Sequence, residues 1–105
     1  MNSLYASEEL VNKYGEIGFQ RTYYNQNHLS DLQQWMLYTH GLWVEVYRFF
    51  DSGDSKWIFL FYVETIAAGD FNLLDTKHEN PSSALSAGLL KAYEIIKQRQ
   101  SEVNK

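Results

Sequence analysis

The residues of this chain that could do acid–base or metal chemistry are few and scattered. Its three histidines, His28, His40 and His78, lie far apart, and only the segment from Asp75 to Glu79 places an imidazole among acidic side chains. That segment lacks the i, i+4 ligand pairing of helical metal sites, and thiolate ligands are excluded because the chain has no cysteine. We interpret residues 75–79 as a solvated strand end before a helix, and we expect no metal or other cofactor.

The serines and glycines give no better case for catalysis. No nucleophile-elbow pattern surrounds any serine, and Ser30, Ser82 and Ser83 are explained by positions at helix starts. Gly15 and Gly18 are too sparse to form a phosphate-binding loop. The sequence therefore predicts a protein that is not an enzyme.

An excess of aromatic residues is the feature that favours a function. Trp43, Tyr47 and Phe49 share one face of a predicted strand, and Tyr62 joins them if the register of the next strand places it on the same side. One interpretation is that Leu4, Leu10, Tyr14 and Phe19 of the N-terminal segment cover this face and make it a second core. The other is that it is exposed, and large apolar patches on soluble monomers usually mark association sites. On the second interpretation we expect Trp43, Tyr47, Phe49 and Tyr62 to bind a protein partner or a second copy of the chain.

A β-hairpin must position these rings. Two runs rich in β-branched and aromatic residues, Leu42–Phe50 and Lys56–Ile66, are separated by the short polar loop of residues 51–55. Alternation places Leu42, Val44, Val46 and Phe50 on one face of the first strand, and Trp43, Glu45, Tyr47 and Phe49 on the other. Both faces of the hairpin are therefore largely apolar.

Helices are predicted on either side of this hairpin. Ser7 begins a short helix that Gly15 could end, and an extended segment around residues 22–24 follows it. Ser30 and Gln33 have the spacing of a capping box for a second helix, which Gly41 would end. After a weaker third strand over residues 71–76, Asn80 and Pro81 begin a final helix.

Small residues on that final helix predict how it packs. Ala84, Gly88 and Ala92 form a ridge that would let the helix backbone approach the sheet closely. The expected fold class is α+β: a three-stranded antiparallel sheet with helices packed on one face, in the order (α)-α-β-β-β-α. Residues 1–105 form a single domain, in which 1–27 are the N-terminal helix and extended segment, 28–98 the α-β-β-β-α core and 99–105 a frayed tail.

Charge and hydropathy limit the possible partners. The net charge is −4, and between residues 30 and 80 only Arg48, Lys56 and Lys77 are basic, so no basic stripe on the sheet could neutralise phosphates. The longest apolar run falls far short of the roughly 20 residues that span a bilayer. The N-terminus lacks the pattern of a signal peptide. We therefore expect a cytoplasmic protein that does not bind membranes.

The α-β-β-β-α order resembles that of double-stranded-RNA-binding domains, and residues 84–96 have a similar spacing of small and large apolar residues. In that family a glycine-containing turn leads into a lysine cluster at the start of the last helix. Here the matching positions are Asn80-Pro81-Ser82-Ser83. This departure removes the electrostatic attraction that dominates such binding. Nucleic-acid binding is kept as the alternative function, with positive charge from Lys91, Lys97 and Arg99.

A second resemblance covers most of the chain. It rests on the order and spacing of Ser7-Glu8-Glu9-Leu10, Gly18-Phe19, Tyr23-Tyr24-Asn25, Asp31-Leu32-Gln33-Gln34-Trp35, His40-Gly41-Leu42-Trp43-Val44, Ala84-Leu85, Gly88-Leu89-Leu90-Lys91-Ala92 and Ile95-Ile96. Together they resemble small uncharacterised proteins encoded by phages, prophages and mobile elements of gut bacteria. The resemblance implies a compact α+β domain and supplies no catalytic residues. The expected function is thus a non-enzymatic protein-interaction or self-association module of phage or mobile-element origin. Binding of a small molecule ranks third and would need a cavity between helices and sheet.

Overall fold

Helices and strands follow one another in the predicted order α-α-β-β-β-α. The computed structural model describes residues 4–22 and 26–103, with the backbone alone for residues 71–76. The elements are α1 (Glu8–Glu16), α2 (Leu29–His40), β1 (Leu42–Asp51), β2 (Lys56–Thr65), β3 (Asp70–His78) and α3 (Pro81–Val103). The α+β class and the three-stranded antiparallel sheet are confirmed. The predicted extended segment falls largely on residues 23–25, which lie outside the described residues.

The sheet has the strand order β1-β2-β3, so β1 is an edge strand. Its ladder with β2 is continuous, and places Val44 opposite Val63, Tyr47 opposite Leu60 and Phe50 opposite Trp57. The chain reverses between the strands at the predicted polar loop, where Ser55 adopts a positive φ of 52°. An unbroken ladder preserves the two-residue alternation, so the predicted division of the hairpin into two faces is confirmed.

The core lies on one face of this sheet, under α2 and α3. Leu42, Val44, Phe61 and Val63 from the strands are buried against Leu32 and Met36 of α2 and Leu89, Ala92 and Ile96 of α3. The small-residue ridge of α3 makes this contact close: Ala84, Gly88 and Ala92 are all buried. A Cβ atom added at Gly88 would lie 2.4 Å from Cγ1 of Val44 and 3.0 Å from Cδ2 of Phe61. The absence of a side chain at residue 88 therefore determines how near α3 lies to the sheet.

The N-terminal segment packs on the helices instead of covering the second face of the sheet. Tyr14 is fully buried, and its hydroxyl donates a hydrogen bond to the carbonyl of Leu89 in α3 at 2.6 Å. The Phe19 ring meets Trp35 of α2 edge to face, with centroids 5.6 Å apart. Leu4, by contrast, is largely exposed. The interpretation that these residues form a second core on the aromatic side is wrong, because α1 buries its apolar stripe against α3 and the helical layer.

The ends of three helices differ from those predicted. Helix α2 begins at Leu29, and the carboxylate of Asp31 accepts the backbone N–H of His28 at 3.2 Å, so Ser30 is not the cap. Gly15 lies inside α1, which ends before Gly18, a glycine with φ of 111°. Helix α3 continues through residues 99–103, expected as a frayed tail, since Arg, Gln and Glu favour helix even where nothing is buried.

The close contact at Gly88 predicts an unusual response to alanine. In an exposed helix, Gly→Ala stabilises by about 0.4–1 kcal/mol, but overpacking a filled core costs about 1–3 kcal/mol or more. Gly88→Ala should therefore lower the free energy of unfolding in urea. Gly15→Ala is the matched control, because that glycine is also helical and an added Cβ has no atom within 4 Å; it should raise the free energy slightly. Equal effects at the two positions would contradict the described packing of α3.

The buried phenol of Tyr14 predicts a dependence of stability on pH. Burial raises the pKa of Tyr14 above the ordinary value of about 10. Above pH 10 the unfolded chain releases this proton while the folded chain keeps it, so the free energy of unfolding falls as pH rises. Tyr14→Phe should lower the free energy of unfolding by about 0.5–1.5 kcal/mol at pH 7, because the hydrogen bond is lost. Between pH 10 and 11 the free energy of unfolding of this variant should fall less steeply than that of the wild type, and the two slopes should differ by up to about 1.4 kcal/mol per pH unit. Tyr38→Phe, at an exposed position, should match the wild type; a Tyr14→Phe curve parallel to the wild type would refute this role.

Candidate interaction surface

Trp43, Tyr47, Phe49 and Tyr62, which we call the aromatic face, lie on the side of the sheet opposite the core. The three β1 residues are separated by even numbers of positions, and Tyr62 of β2 is paired with Glu45, which belongs to the same alternating set. The structure therefore places all four predicted residues on one face. Leu60 and Ile58, opposite Tyr47 and Phe49, extend the apolar part of this face onto β2 near the turn, and Ile58 is buried there.

Exposure increases along β1 toward the hairpin turn. Trp43 and Tyr62 are half-buried, whereas Tyr47 is 37% exposed and Phe49 51% exposed. The rings of Tyr47 and Tyr62 contact each other across the strands, with centroids 6.1 Å apart. The indole Nε1 of Trp43 donates to a carboxylate oxygen of Glu45 at 2.6 Å, which fixes the indole on the sheet surface. The aromatic face thus combines a held ring, Trp43, at the end away from the turn with accessible rings near the turn.

The charge next to the aromatic face is negative. Glu45 and Glu64 are paired with Tyr62 and Trp43 on neighbouring strands. Partial burial of the hydroxyl, and then the negative charges of Glu45 and Glu64, raise the pKa of Tyr62. The negative charge repels phosphate groups and attracts basic groups.

The basic residues proposed for nucleic-acid binding lie elsewhere. Lys91, Lys97 and Arg99 belong to α3, which packs on the other side of the sheet, and Arg99 donates to the hydroxyl of Thr65 at 3.3 Å. They therefore add no positive charge to the aromatic face.

A second exposed aromatic group lies at the end of the hairpin, on the core side of the sheet. Phe50 and Trp57 are 46% and 53% exposed, their rings meet edge to face at 5.3 Å, and the Arg48 guanidinium lies 4.2 Å from the Trp57 ring centroid. We call Arg48, Phe50 and Trp57 the hairpin-end cluster. Alternation in the sequence assigned Phe50 to the core side, but it did not predict that the helices leave Phe50 exposed. An arginine at a core-side position was the available signal, because buried arginine is rare without a partner.

The remaining chemistry-bearing groups do not converge. Among the side chains that the structure describes, no three histidine, aspartate or glutamate residues are placed to hold a metal ion; Asp75 lies outside that set. A groove of about 200 Å³ between α1 and α3 includes Leu10, Lys13 and Leu90, and one of about 390 Å³ is lined by Val11, Phe19 and Arg21 among others. Neither contains a residue of the aromatic face. Within the described ranges, no helix has both the length and the apolar character needed to cross a bilayer.

No protein-family description, curated protein or solved structure was found to match the chain. The likeness to double-stranded-RNA-binding domains therefore rests only on the order of the elements and the spacing of apolar residues over 84–96. The phage or mobile-element origin and the cytoplasmic location stay predictions of the sequence.

Proposed function

We propose that this chain is a non-enzymatic protein-interaction module that binds through the aromatic face. The observation that carries the proposal is the exposure of Tyr47 and Phe49 on a sheet face that α1, α2 and α3 leave uncovered. Burying a large aromatic side chain is worth about 1.5–3 kcal/mol. Aromatic residues, moreover, dominate the energetics of protein interfaces. Leaving several such side chains in water is costly unless a partner covers them.

The arrangement of the face suits a protein partner better than a nucleic acid. The Trp43 indole is held by its bond to Glu45, and the Tyr47 and Tyr62 rings contact each other, so these side chains lose little entropy on binding. Glu45 and Glu64 disfavour a phosphate backbone, whose neutralisation requires lysine or arginine. The partner is expected to present an apolar surface or strand and not a phosphate backbone.

Photo-crosslinking tests this function even while the partner is unidentified. A benzophenone amino acid replaces Phe49 in one variant and Tyr38 in a control, because Tyr38 is an 84% exposed residue on α2, away from the sheet. Irradiation in cells should give a discrete protein adduct from position 49, and excess of the untagged wild-type chain should compete for it. Position 38 should give no matching adduct.

The adducts also distinguish the alternatives. An adduct at position 49 that nuclease removes would replace the proposal by nucleic-acid binding. Identical adduct patterns from positions 38 and 49, or none from either, would contradict a binding role of the aromatic face.

A further inference from the structure

The outer edge of β1 has a defined set of outward-pointing backbone groups. The amide of Ile66 donates to the carbonyl of Gly41 at 3.0 Å, and this pair directly precedes the pair of Leu42 with Thr65. In an antiparallel ladder, hydrogen-bonded and non-hydrogen-bonded pairs alternate. The odd-numbered residues of β1 therefore bond to β2, and the even-numbered ones direct their N–H and C=O groups outward. The bond from Gln33 Nε2 to the carbonyl of Val44, at 2.6 Å, agrees with this assignment.

Only the half of the edge near α2 is covered. Gln33 occupies the carbonyl of Val44, but among the described residues none bonds to the outward groups of Val46, Arg48 or Phe50. Exposed edges are usually protected by lysine, proline or a bulge. This stretch is Val46-Tyr47-Arg48-Phe49-Phe50 in a regular ladder, and the guanidinium of its one charged residue lies over the Trp57 ring. Such an edge favours pairing with another strand.

The same stretch carries exposed aromatic side chains on both sides of the sheet. Tyr47 and Phe49 lie on the aromatic face, and Phe50 lies with Trp57 in the hairpin-end cluster. A strand added at this edge would contact both groups at once. The helices do not obstruct an added strand, because residues 47–50 of β1 are exposed.

We propose that the occupant of this edge is a second copy of the chain, with β1 paired antiparallel to β1 of the partner about a two-fold axis at Phe49. This inference rests on the proposed function and deepens it by naming the partner that pairs with the β1 edge beside Tyr47 and Phe49. The two sheets then form one six-stranded sheet. The helical layers lie at opposite ends of it, since only the halves of the hairpins near their turns overlap.

Charge, the Gln33 bond and the end of β1 select this register among the symmetric ones. An axis at Phe50 would place Arg48 opposite Ser52, which lies in the turn beyond the end of β1 at Asp51. A two-fold axis at Val46 or Tyr47 would pair Val44 with a residue of the second copy. The outward carbonyl of Val44 already accepts a hydrogen bond from Gln33, so it is not available for such a pair. An axis at Arg48 would place the two Arg48 residues opposite each other and Glu45 opposite Asp51, and like charges directly opposite are destabilising. An axis at Phe49 pairs Arg48 with Phe50 of the second copy and Phe49 with itself. That register gives about four main-chain hydrogen bonds and opposes no like charges.

The absence of cysteine allows a direct test of this register. Phe49 faces its own copy in a non-hydrogen-bonded pair, with Cα atoms about 4.5 Å apart, which is within the range that a disulfide bridges. Phe49→Cys should therefore form a disulfide-linked dimer under mild oxidation. Trp57→Cys is the matched control, because Trp57 is equally exposed but lies on the central strand. We expect the Phe49→Cys protein to cross-link at least tenfold faster.

Light scattering completes the test on the wild-type chain and on Phe50→Pro. The wild type should reach twice the 12.3 kDa mass of one chain as concentration rises. Phe50→Pro should stay monomeric with an intact fold by circular dichroism, because the lost N–H points away from β2. A wild type that stays monomeric to millimolar concentration, or equal cross-linking at positions 49 and 57, would overturn the inference. A monomer that still gives a specific adduct with another protein from position 49 would overturn the dimer alone and leave the proposed function standing.

Discussion

The close approach of α3 to the middle of the hairpin determines which sheet surfaces stay open. Gly88 meets Val44 and Phe61 with no room for a Cβ atom, so α3 lies low over the half of β1 and β2 farthest from their turn. Helix α2 packs beside it, and α1 packs on α3 through Tyr14. All three helices thus pack on one face of the sheet, and none of them covers Tyr47 and Phe49 on the other face.

This one-sided packing has two consequences that combine at the hairpin turn. The aromatic face is open near the turn, at Tyr47 and Phe49, and the core face opens where the helices end, which exposes Phe50 and Trp57. Between these surfaces lies the edge of β1, whose backbone groups are covered by Gln33 near α2 and by no described residue farther on. Apolar area alone gives little specificity, whereas an edge strand adds direction and register to a contact. The two features together favour a strand partner over a smooth hydrophobic surface.

Local patterns in the sequence predicted most of the fold. Alternation over residues 42–50 assigned both faces of β1 correctly, and the spacing of Ala84, Gly88 and Ala92 predicted the close packing of α3. Residues Trp43, Tyr47, Phe49 and Tyr62 were placed on one face as expected. The position of α1 could not be predicted, because an apolar stripe such as Leu10, Val11 and Tyr14 fits either a sheet face or a helical crevice. The hairpin-end cluster was missed because alternation predicts the face on which a side chain lies, but it does not predict how much of that face the helices cover.

Amide hydrogen exchange of the wild-type chain, followed by NMR from low to high protein concentration, tests the central claim most directly. The amides of Tyr47 and Phe49 bond to β2 and should be protected at every concentration. The amides of Arg48 and Phe50 point to the open edge, so they should exchange fast in dilute solution and slow as the second copy binds. If Arg48 and Phe50 exchange equally fast throughout, the edge of β1 does not pair with a second copy, and the account of this surface is contradicted.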